Sequence, residues 1–533
     1  MTRPRTGFPT TARAFAMTAG LGLLLGACSG GGPVSGSPGG GSTLVIDTSF
    51  NLKTADPARE FEPTGHLVDK ALYETLLTYK GGDVSKPVPG LASSYEQSED
   101  GKRLTLHLRD GAKFSDGSPV TTEDVVFSLK RVSALKGNPA FLLDGVDVAR
   151  KDASTVVLTS EKPNPALPSV LPNPALGIVN AKKVKAYGGS AEAGKADTAE
   201  RHLNGTSEGS GPYRLAAFDT TSQVVLEKNP KYTGPQRPAY QKVVLRNVKA
   251  PTQRLNVQRG DSQIALDLNS DQVKGLRGGL KLVQGPSSNV IFLLLNRDSR
   301  VSKATSEEKF AEAVRKGLDY RSLRGLAGSG SVQAAGIIPR SIPGALPASG
   351  AAERDVTGAA AALRDSGLKK PTVTLGYASD MTIDGLSLQS LAERIQAQLK
   401  EVGITVKLEP ASTATEMAKY RGGKEQMGLW YWGPDYPHAN DYLSFLPGAT
   451  VGKRAGWKAD GDPALSRLGD KAAVTMDDAA REKQYAQIQK RLNTHGPFVP
   501  LIQPSRNTVH APTVTGVAYN PVWTLDVAAV GAK

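Results

Sequence analysis

The chain is 533 residues long, with 39% hydrophobic and 22% charged residues, which are ordinary proportions for a globular protein. Its formal net charge is +14, but the basic residues are spread along the chain without a basic-aromatic stripe, so nucleic acid is excluded as the expected partner. The sequence contains 1 cysteine, so no internal disulfide can form and stability must come from a large core.

The start of the chain has the features of an export signal. Arginines without acidic residues accompany an apolar stretch at 14–25, which is too short to span a bilayer as a permanent helix. The stretch ends in Leu25-Gly26-Ala27-Cys28, which resembles the lipobox of bacterial lipoproteins. We therefore expect residues 1–27 to be a signal peptide and Cys28 to carry a lipid that anchors the protein to the outer face of the cytoplasmic membrane. The alternative is a free cysteine that follows a plain signal by chance.

A linker follows the cysteine. After Cys28, residues up to 42 are almost entirely Gly, Ser and Pro, a composition that forms no core and predicts a flexible tether over 28–42. Past the tether no apolar run approaches the roughly 18 residues that cross a membrane. The remaining ~490 residues are enough for two or three packed domains.

Alternating patterns then predict strands. Leu104-Thr105-Leu106-His107-Leu108 places its leucines on one face, and Asp100-Gly101 before it is a turn signal, so we predict a hairpin. Thr121 opens a predicted helix, because its hydroxyl can cap free amides and acidic residues follow in the first turn. Further strands are predicted at Thr43–Ile46, Val156–Thr159, Val224–Glu227 and Val290–Leu295.

Two stretches between these strands have loop composition. Residues 163–174 carry five prolines and predict an extended loop. Residues 186–210 are rich in Gly, Ala and charge and predict a surface excursion.

Helical spacing becomes frequent beyond Asn296. Apolar residues recur at helical intervals over 310–318 and again over 388–402. Gly403 is placed to end the second helix before a strand at Ile404–Leu408. The loose alternation of strands and helices predicts an α/β fold.

Two motifs resemble catalytic or nucleotide-binding signatures. Gly205-Thr206-Ser207-Glu208-Gly209 matches the Gly-x-Ser-x-Gly pattern of serine hydrolases, but loop residues lie on both sides where a strand and a helix are needed. The run 189–195 nearly copies a phosphate-binding loop, but Ala196 stands where a Ser or Thr would hold magnesium. We interpret both matches as chance.

The histidines show no metal-ligand spacing, and no His-Glu-x-x-His occurs. No arrangement joins a nucleophile to a base. We therefore expect a protein that is not an enzyme, with no catalytic residue, no metal and no cofactor.

Several segments resemble the extracellular solute-binding proteins of the oligopeptide, dipeptide and nickel ABC importers. The most specific is Leu108-Arg109-Asp110-Gly111-Ala112-Lys113-Phe114-Ser115-Asp116-Gly117-Ser118-Pro119-Val120, and the last is Trp430-Tyr431-Trp432-Gly433-Pro434-Asp435-Tyr436-Pro437. Between and around them lie further matching segments, at 56–58, 72–77, 89–96, 211–214, 229–232 and 310–320. The resemblance covers the chain from about Thr43 onward.

This resemblance implies a two-lobed, periplasmic-binding-protein-like fold of type II, with an extra inserted subdomain and a ligand cleft between the lobes. It places lobe I at 43–70, 206–288 and 510–533, the inserted subdomain at 71–205 and lobe II at 289–509. Such lobes close over the ligand by a hinge motion.

The resemblance also implies a ligand and its contacts. In the peptide-binding members, the aspartate of a Trp-x-x-Asp segment meets the peptide's α-ammonium, and that segment here is Trp432-Gly433-Pro434-Asp435. We therefore expect Asp435, Trp432, Trp430 and Tyr436 to contact a di- or oligopeptide. A buried carboxylate needs a cationic partner or several hydrogen-bond donors, and a peptide's ammonium supplies both. The alternative is that Asp435 caps a turn and the tryptophans are core residues.

Other ligands stay open at this point. Pro437-His438 is similar to the segment of nickel binders, and other members bind glycosides or other small solutes; whether His438 touches ligand is left open. From a different class, Ser207 would serve a lipoprotein hydrolase. The implied partners are an ABC permease and its ATPase in the membrane, and we expect a monomer.

Overall fold

The computed structural model describes residues 43–533, and its first strand lies at the centre of the largest sheet. Thr43–Thr48 is largely buried, since the parallel strands Lys242–Asn247 and Ile264–Ala265 flank it on both sides. Seven strands lie in the spatial order Lys281–Pro286, Ser505–His510, Ile264–Ala265, Thr43–Thr48, Lys242–Asn247, Gln223–Lys228 and Tyr213–Phe218. The strands predicted at Thr43–Ile46 and Val224–Glu227 are confirmed in this sheet.

This sheet is assembled from three separate stretches of the chain, 43–48, 213–286 and 505–510. The chain leaves it twice, first to build a small antiparallel sheet and then to build a second large sheet. Each excursion returns to the same sheet, so the first lobe is discontinuous in sequence.

The first excursion forms a subdomain in which a helix covers a four-stranded antiparallel sheet. Its strands lie in the order Ala92–Gln97, Arg103–Leu108, Thr155–Ser160 and Val146–Arg150. The hairpin predicted around Asp100-Gly101 is confirmed. The covering helix Thr122–Leu135 begins with a capping box, because Thr121 Oγ1 accepts the Asp124 amide and the Asp124 carboxylate accepts the Thr121 amide.

A buried ion cluster joins this subdomain to the first lobe. The Arg131 side chain, 1% exposed, donates to Asp56 in two bonds of 2.6 Å and to Asp197 in bonds of 2.7 and 3.0 Å. Burial raises the pKa of Asp197, but the bonds from Arg131 outweigh it and bring that pKa to about 2. The predicted surface excursion at 186–210 is therefore wrong around Asp197, because this carboxylate neutralises a buried guanidinium.

The proline-rich stretch 163–174 is more regular than the predicted extended loop. It contains the short helix Leu167–Val170 and leads into the 3-10 turn Pro174–Leu176. Proline suits the first turn of a helix, since its missing N–H has no acceptor there. Asn173 caps the second turn, with its Oδ1 accepting the Ala175 amide at 2.9 Å, and this bond holds the Asn173 side chain in one orientation.

The second excursion forms a six-stranded sheet. Its strands lie in the order Val332–Gln333, Phe498–Gln503, Val290–Leu295, Met427–Trp432, Thr372–Ala378 and Thr405–Ala411. All residues of Val290–Leu295 are buried, because one face packs against the helices Glu308–Gly317 and Leu388–Glu401 and the other against an aromatic cluster around Phe445. The predicted strand at Val290–Leu295 and the predicted helices over 310–318 and 388–402 are confirmed.

Two short segments connect the two large sheets. Pro286 and Ser505 are paired neighbours at the edge of the seven-stranded sheet. Beyond them the Ser287 amide donates to Pro504 O at 2.8 Å, and the Gln503 side chain donates to Ser287 O at 3.0 Å. The two crossings therefore run side by side, which is the arrangement of a hinge between two lobes. The return crossing lies at Pro504, ahead of the return at 510 expected from sequence, and the other numbered lobe boundaries stay predictions.

The remaining elements complete both lobes. The other helices are Pro63–Leu72, Ala181–Ala186, Glu200–Leu203, Ala250–Arg259, Lys303–Ser306, Tyr320–Leu326, Val356–Asp365, Thr413–Arg421, Thr450–Arg454, Pro463–Val474 and Asp478–His495. The other 3-10 segments are Asn138–Leu143, Ala348–Gly350 and Ala439–Phe445. Three two-stranded ribbons pair Leu77–Lys80 with Asp83–Pro89, Thr382–Ile383 with Leu386–Ser387, and Val514–Thr515 with Gly531–Ala532. Within residues 43–533 no helix combines the length and apolar character that spanning a membrane requires.

Candidate functional site

The predicted ligand segment leaves the six-stranded sheet and reaches the inserted subdomain. It begins where the strand Met427–Trp432 ends, and Asn173 of the subdomain donates from its Nδ2 to the carbonyl of Asp435 at 3.0 Å. Tyr436 packs against the subdomain's apolar cluster, which includes Leu171. The segment therefore lies where lobe II meets the other half of the molecule, which is where a cleft ligand would lie.

Asp435 is partly buried, and its carboxylate has no donor among the described residues. Both hydrogen bonds that Asp435 makes within residues 43–533 use its main chain: the amide donates to Asp441 and the carbonyl accepts from Asn173. Burial raises the pKa of the Asp435 carboxyl to about 6, and the charge of Arg454 acts in the opposite direction. At neutral pH this site therefore presents an ionised carboxylate that can accept hydrogen bonds from a cationic ligand.

Asp441 holds the beginning of this segment in place. Its Oδ2 accepts the Trp432 indole N–H at 3.1 Å and the Asp435 amide at 3.2 Å. Burial first, and the neighbouring Asp435 second, raise the pKa of Asp441 well above its usual range. One carboxyl oxygen thus fixes both the indole and the backbone that carries Asp435. Sequence reasoning missed Asp441, because an acid in the first turn of a 3-10 helix has no distinctive spacing.

The rings of Tyr420 and Trp432 form an aromatic platform against which the Arg454 guanidinium lies. The Arg454 guanidinium lies 4.9 Å from the Tyr420 ring centre and 5.9 Å from that of Trp432. Trp432 in turn meets Phe445 edge to face, with ring centres 5.5 Å apart. Cation–π contacts of this kind hold Arg454 beside the Asp435 segment, and in the part of the chain that the structure describes it forms no ion pair with a carboxylate. Nothing in the local sequence marks Tyr420 or Arg454 as members of the site.

Trp430 lies beneath this platform. Its side chain is 1% exposed, and its indole N–H donates to Glu425 at 3.0 and 2.8 Å. Its ring stacks on Tyr420 with centres 4.4 Å apart. Trp430 and Trp432 belong to the same apolar cluster, as expected for residues two apart on a strand. The contact of Trp430 with ligand stays a prediction.

Tyr436 and His438 stabilise the far end of the segment. The Tyr436 hydroxyl accepts from Asn440 at 3.4 Å, and burial raises the pKa of this tyrosine. His438 Nδ1 accepts the Asn440 amide at 3.1 Å and caps the 3-10 helix Ala439–Phe445. Burial, followed by the charge of Arg481, lowers the pKa of His438 to about 3, so its imidazole is neutral. Within residues 43–533 no group of three potential ligand side chains is placed to hold a metal.

The two chance motifs have structural roles. Ser207 Oγ accepts the Leu215 amide at 3.0 Å, and His202 pairs with Glu208 at 2.8 Å while stacking on Tyr187. The serine hydroxyl therefore bonds a strand backbone. In the run 189–195, the Ser190 amide donates to Asp197 at 2.8 Å, so an amide that a phosphate would need is taken by a carboxylate. Cys28 lies outside the described residues.

A second group of charged residues spans the lobes. Arg506, on a strand of the seven-stranded sheet, donates to Asp267 at 3.3 Å and to Asp384 at 3.1 Å. Asp384 is at the tip of the ribbon Thr382–Ile383/Leu386–Ser387 in lobe II, with φ of 47°, and also accepts the Asn289 side chain at 2.9 Å. A cavity of about 400 Å³ lies between these elements. Sequence reasoning found none of these partners.

Comparison with known proteins agrees with this architecture. A sequence model described as "Bacterial extracellular solute-binding proteins, family 5 Middle" matches residues 86–453. The "Probable D,D-dipeptide-binding periplasmic protein DdpA" of Escherichia coli K12 is 29% identical over 497 residues, which are 90% of this chain and 92% of that protein. The glutathione-binding protein GsiB of Escherichia coli K12 is 24% identical over 495 residues, covering 89% of this chain and 91% of that protein.

Solved structures share the fold at lower identity. The ABC transporter substrate-binding protein CtaP of Listeria monocytogenes superposes with a TM-score of 0.80 at 19% identity, covering 92% of this chain and 99% of that one. OppA of Haemophilus influenzae, in complex with a peptide, gives a TM-score of 0.72 at 21% identity, with coverage of 92% and 99%. The predicted two-lobed fold of type II is confirmed.

Proposed function

The chain belongs to family 5 of the bacterial extracellular solute-binding proteins, and on that premise we propose that it captures di- or oligopeptides outside the membrane and delivers them to an ABC permease. The observation that supports this most directly is the Asp435 carboxylate, which is partly buried and accepts no hydrogen bond from another residue in 43–533. A peptide's α-ammonium supplies a positive charge and three N–H donors to such a group.

The surroundings of Asp435 support a ligand of this kind. Asp441 and Asn173 fix its backbone from two sides, so the main chain that carries the carboxylate is held in place. The rest of a peptide can be bound through its main chain, which tolerates varied side chains. The two relatives named above, one a dipeptide-binding and one a glutathione-binding protein, are both named for small peptides.

The partners and the location follow from the family and the export signal. Members of the family are extracellular, and an importer's permease and ATPase are the membrane partners that such a binding protein serves. We further propose that a lipid on Cys28 anchors the protein to the outer face of the cytoplasmic membrane, with the Gly-rich stretch 28–42 as its tether. The grounds are the apolar stretch and the small residues before the single cysteine.

The test combines one substitution with one ligand modification. Asp435→Asn keeps the size of the side chain and removes its charge, a loss of about 2–5 kcal/mol for a buried charge pair, or roughly thirty-fold or more in affinity. N-acetylation of the peptide should weaken binding to the wild type by a similar factor. It should add little in the variant, because both changes break the same pair.

Calorimetry on the four combinations gives the coupling directly. Asp271→Asn is the matched control, since its side chain is 86% exposed and lies in the other lobe. Additive losses, or an acetylated peptide that binds the wild type undiminished, would contradict the role of Asp435. Such a result would favour another small solute, such as a glycoside or a nickel chelate.

A further inference from the structure

A second acidic pair lies behind the aromatic platform. Glu416, on the helix Thr413–Arg421, and Glu425, just before the strand Met427–Trp432, are 0% and 5% exposed. Both carboxyl groups occupy space above a pair of glycines, Gly376 and Gly428, which are register partners on neighbouring parallel strands.

The two glycines leave room for the carboxyl groups. A Cβ at Gly376 would lie 2.1 Å from Glu416 Oε1 and 3.2 Å from Glu425 Oε1. A Cβ at Gly428 would lie 2.3 Å from Glu425 Oε2. Any side chain at either position would therefore collide with an acid, so the sheet is built with a niche that holds both carboxyl groups together.

The carboxyl oxygens of Glu416 lack a hydrogen-bond donor within residues 43–533 unless one of the two acids carries a proton. Glu425 accepts the Trp430 indole N–H, whereas both oxygens of Glu416 are buried without a hydrogen-bond donor among the described residues. Within residues 43–533 the cation that contacts Glu416 is Lys419, whose Nζ lies 3.4 Å from Glu416 Oε2 and 3.0 Å from the exposed Glu409. Burial and like charge each disfavour a second negative charge in this niche, and Lys419 contacts only Glu416 of the pair, so the two carboxyl groups are not both ionised.

We propose that Glu425 carries a proton and donates it in a hydrogen bond to the ionised Glu416, and that this carboxyl pair is the positioning element of the ligand site. In this arrangement every group has a partner. Glu416 accepts from Glu425 and faces Lys419, while the carbonyl oxygen of Glu425 accepts from Trp430.

A continuous set of contacts leads from the pair to the site. Glu425 orients the Trp430 ring, which stacks on Tyr420 at 4.4 Å, and Tyr420 carries the Arg454 guanidinium at 4.9 Å. Arg454 also covers Trp432, the residue from which the Asp435 segment starts. This positioning role rests on the proposed function. The claim that Glu425 is protonated does not depend on it.

Burial is the main reason that Glu425 keeps its proton. Burial first, and the hydrogen bond and charge of Glu416 next, raise the pKa of Glu425 to about 10, against the opposing effects of the Trp430 indole N–H and of Lys419. The neighbouring charged groups are Glu409, Lys419 and Arg454. Burial and the charge of Glu416 thus both favour a proton on Glu425 at neutral pH.

Infrared difference spectroscopy tests the proton without any ligand. The wild type minus Glu425→Gln should show the carbonyl stretch of a protonated carboxyl group at pH 7 and still at pH 9, with a shift in deuterium oxide. The matched control is Glu409→Gln, which also faces Lys419 but has a half-exposed side chain and should produce no such band. A spectrum without this band would overturn the proposal.

Affinity and aromatic circular dichroism test the positioning role. In Glu425→Gln the amide can donate to Glu416 and accept from Trp430, so peptide affinity should stay within about two-fold and the near-ultraviolet spectrum should be kept. Glu425→Leu removes the acceptor and leaves Glu416 unpaired, and affinity should fall by about ten-fold or more with a changed spectrum. Wild-type affinity and spectrum in Glu425→Leu would refute the positioning role. If Asp435 does not bind peptide, the infrared band of Glu425 should still be present. A failure of the proposed function can therefore be distinguished from a failure of the proposed carboxyl pair.

Discussion

The side-chain amide of Asn173 donates a 3.0 Å hydrogen bond to the main-chain carbonyl of Asp435, and this bond joins the inserted subdomain to lobe II. Asn173 is itself held by its cap on the Ala175 amide. The carbonyl that it reaches belongs to the residue whose carboxylate we propose as the ammonium acceptor. One side chain of the inserted subdomain thus contacts the backbone of the proposed ligand residue in lobe II.

Asn173→Ser should weaken peptide binding. The shorter hydroxyl can still cap Ala175 but does not reach Asp435 O, so one cross-lobe hydrogen bond of about 1 kcal/mol is lost, or roughly five-fold in affinity. Calorimetric titration measures the change. Asn180→Ala is the matched control, because Asn180 caps the Lys183 amide in the same subdomain and should affect stability with little effect on affinity. Equal losses of affinity in both variants would contradict a specific role for Asn173.

Peptide affinity should depend on pH in both directions. The α-ammonium binds the ionised Asp435, whose pKa is raised to about 6, so affinity should fall as the pH drops below that value. It should also fall above about pH 8, where the peptide's α-amino group loses its proton. Isothermal titration from pH 4.5 to about 9 measures the profile.

Two comparisons identify the groups behind this profile. Asp435→Asn should no longer show the fall in affinity at low pH, and an N-acetylated peptide should show neither fall.

The stability of the ligand-free protein should vary with pH in the opposite direction. The raised folded-state pKa of Asp435 gives stability that is present below the usual value of 3.8 and is lost as the pH rises through about 6. Arg454 and Asp441 face Asp435 and shift the midpoint of its titration. They do not change the direction in which affinity or stability varies with pH. A flat profile for the unmodified peptide would contradict the proposed charge pair.

Arg506 should stabilise the protein through both of its aspartates. Arg506→Met leaves Asp267 and Asp384 without their guanidinium, and because the Arg506 side chain is 21% exposed we expect a loss of about 2 kcal/mol, below that for a fully buried pair. Asp384→Asn should lower the free energy of unfolding by less, since Arg506 keeps its ion pair with Asp267. The double variant should cost less than the sum of the two. Urea unfolding measures all three; strict additivity would show that Arg506 and Asp384 do not interact.

Cys28→Ala should abolish lipid attachment. If Cys28 carries the lipid, labelled fatty acid should enter the wild type and not the variant, and the variant should be unprocessed or released from the membrane. No other cysteine in the 533 residues can take its place as an attachment site. Labelling of the variant equal to that of the wild type would contradict the proposed anchor.

The sequence predicted elements whose partners lie close along the chain. The capping box of Thr121 and Asp124 depends on residues three apart, and the buried strand Val290–Leu295 is recognisable from its own apolar run. The motif segments around 108–120 and 430–437 were sufficient to identify the family, which the match over 86–453 confirms. The second segment also singles out Asp435, because its Trp-x-x-Asp pattern resembles that of the peptide-binding members.

Predictions from the sequence were wrong where the exposure of a segment was inferred from its composition, without knowledge of its tertiary contacts. Residues 186–210 are polar and Gly-rich, yet the Asp197 side chain is buried, because it forms an ion pair with Arg131 from a distant helix. Residues 163–174 are proline-rich, yet they include a helix and lead into a capped turn that carries Asn173 to Asp435. Composition reports the average exposure of a stretch and says nothing about a single charge within it.

The sequence by itself predicted the α/β class and the main strands and helices, because these depend on side chains that recur at short intervals. Its resemblance to the solute-binding family supplied the two-lobed architecture and the segment that carries Asp435. Only the tertiary structure decided what surrounds that segment. Asn173 and Asp441 fix its backbone, Arg454 lies on its aromatic platform, and Glu416 and Glu425 meet above Gly376 and Gly428. These partners come from separate elements brought together by sheet order and packing. The charge, burial and protonation of each group depend on neighbours that are distant along the chain.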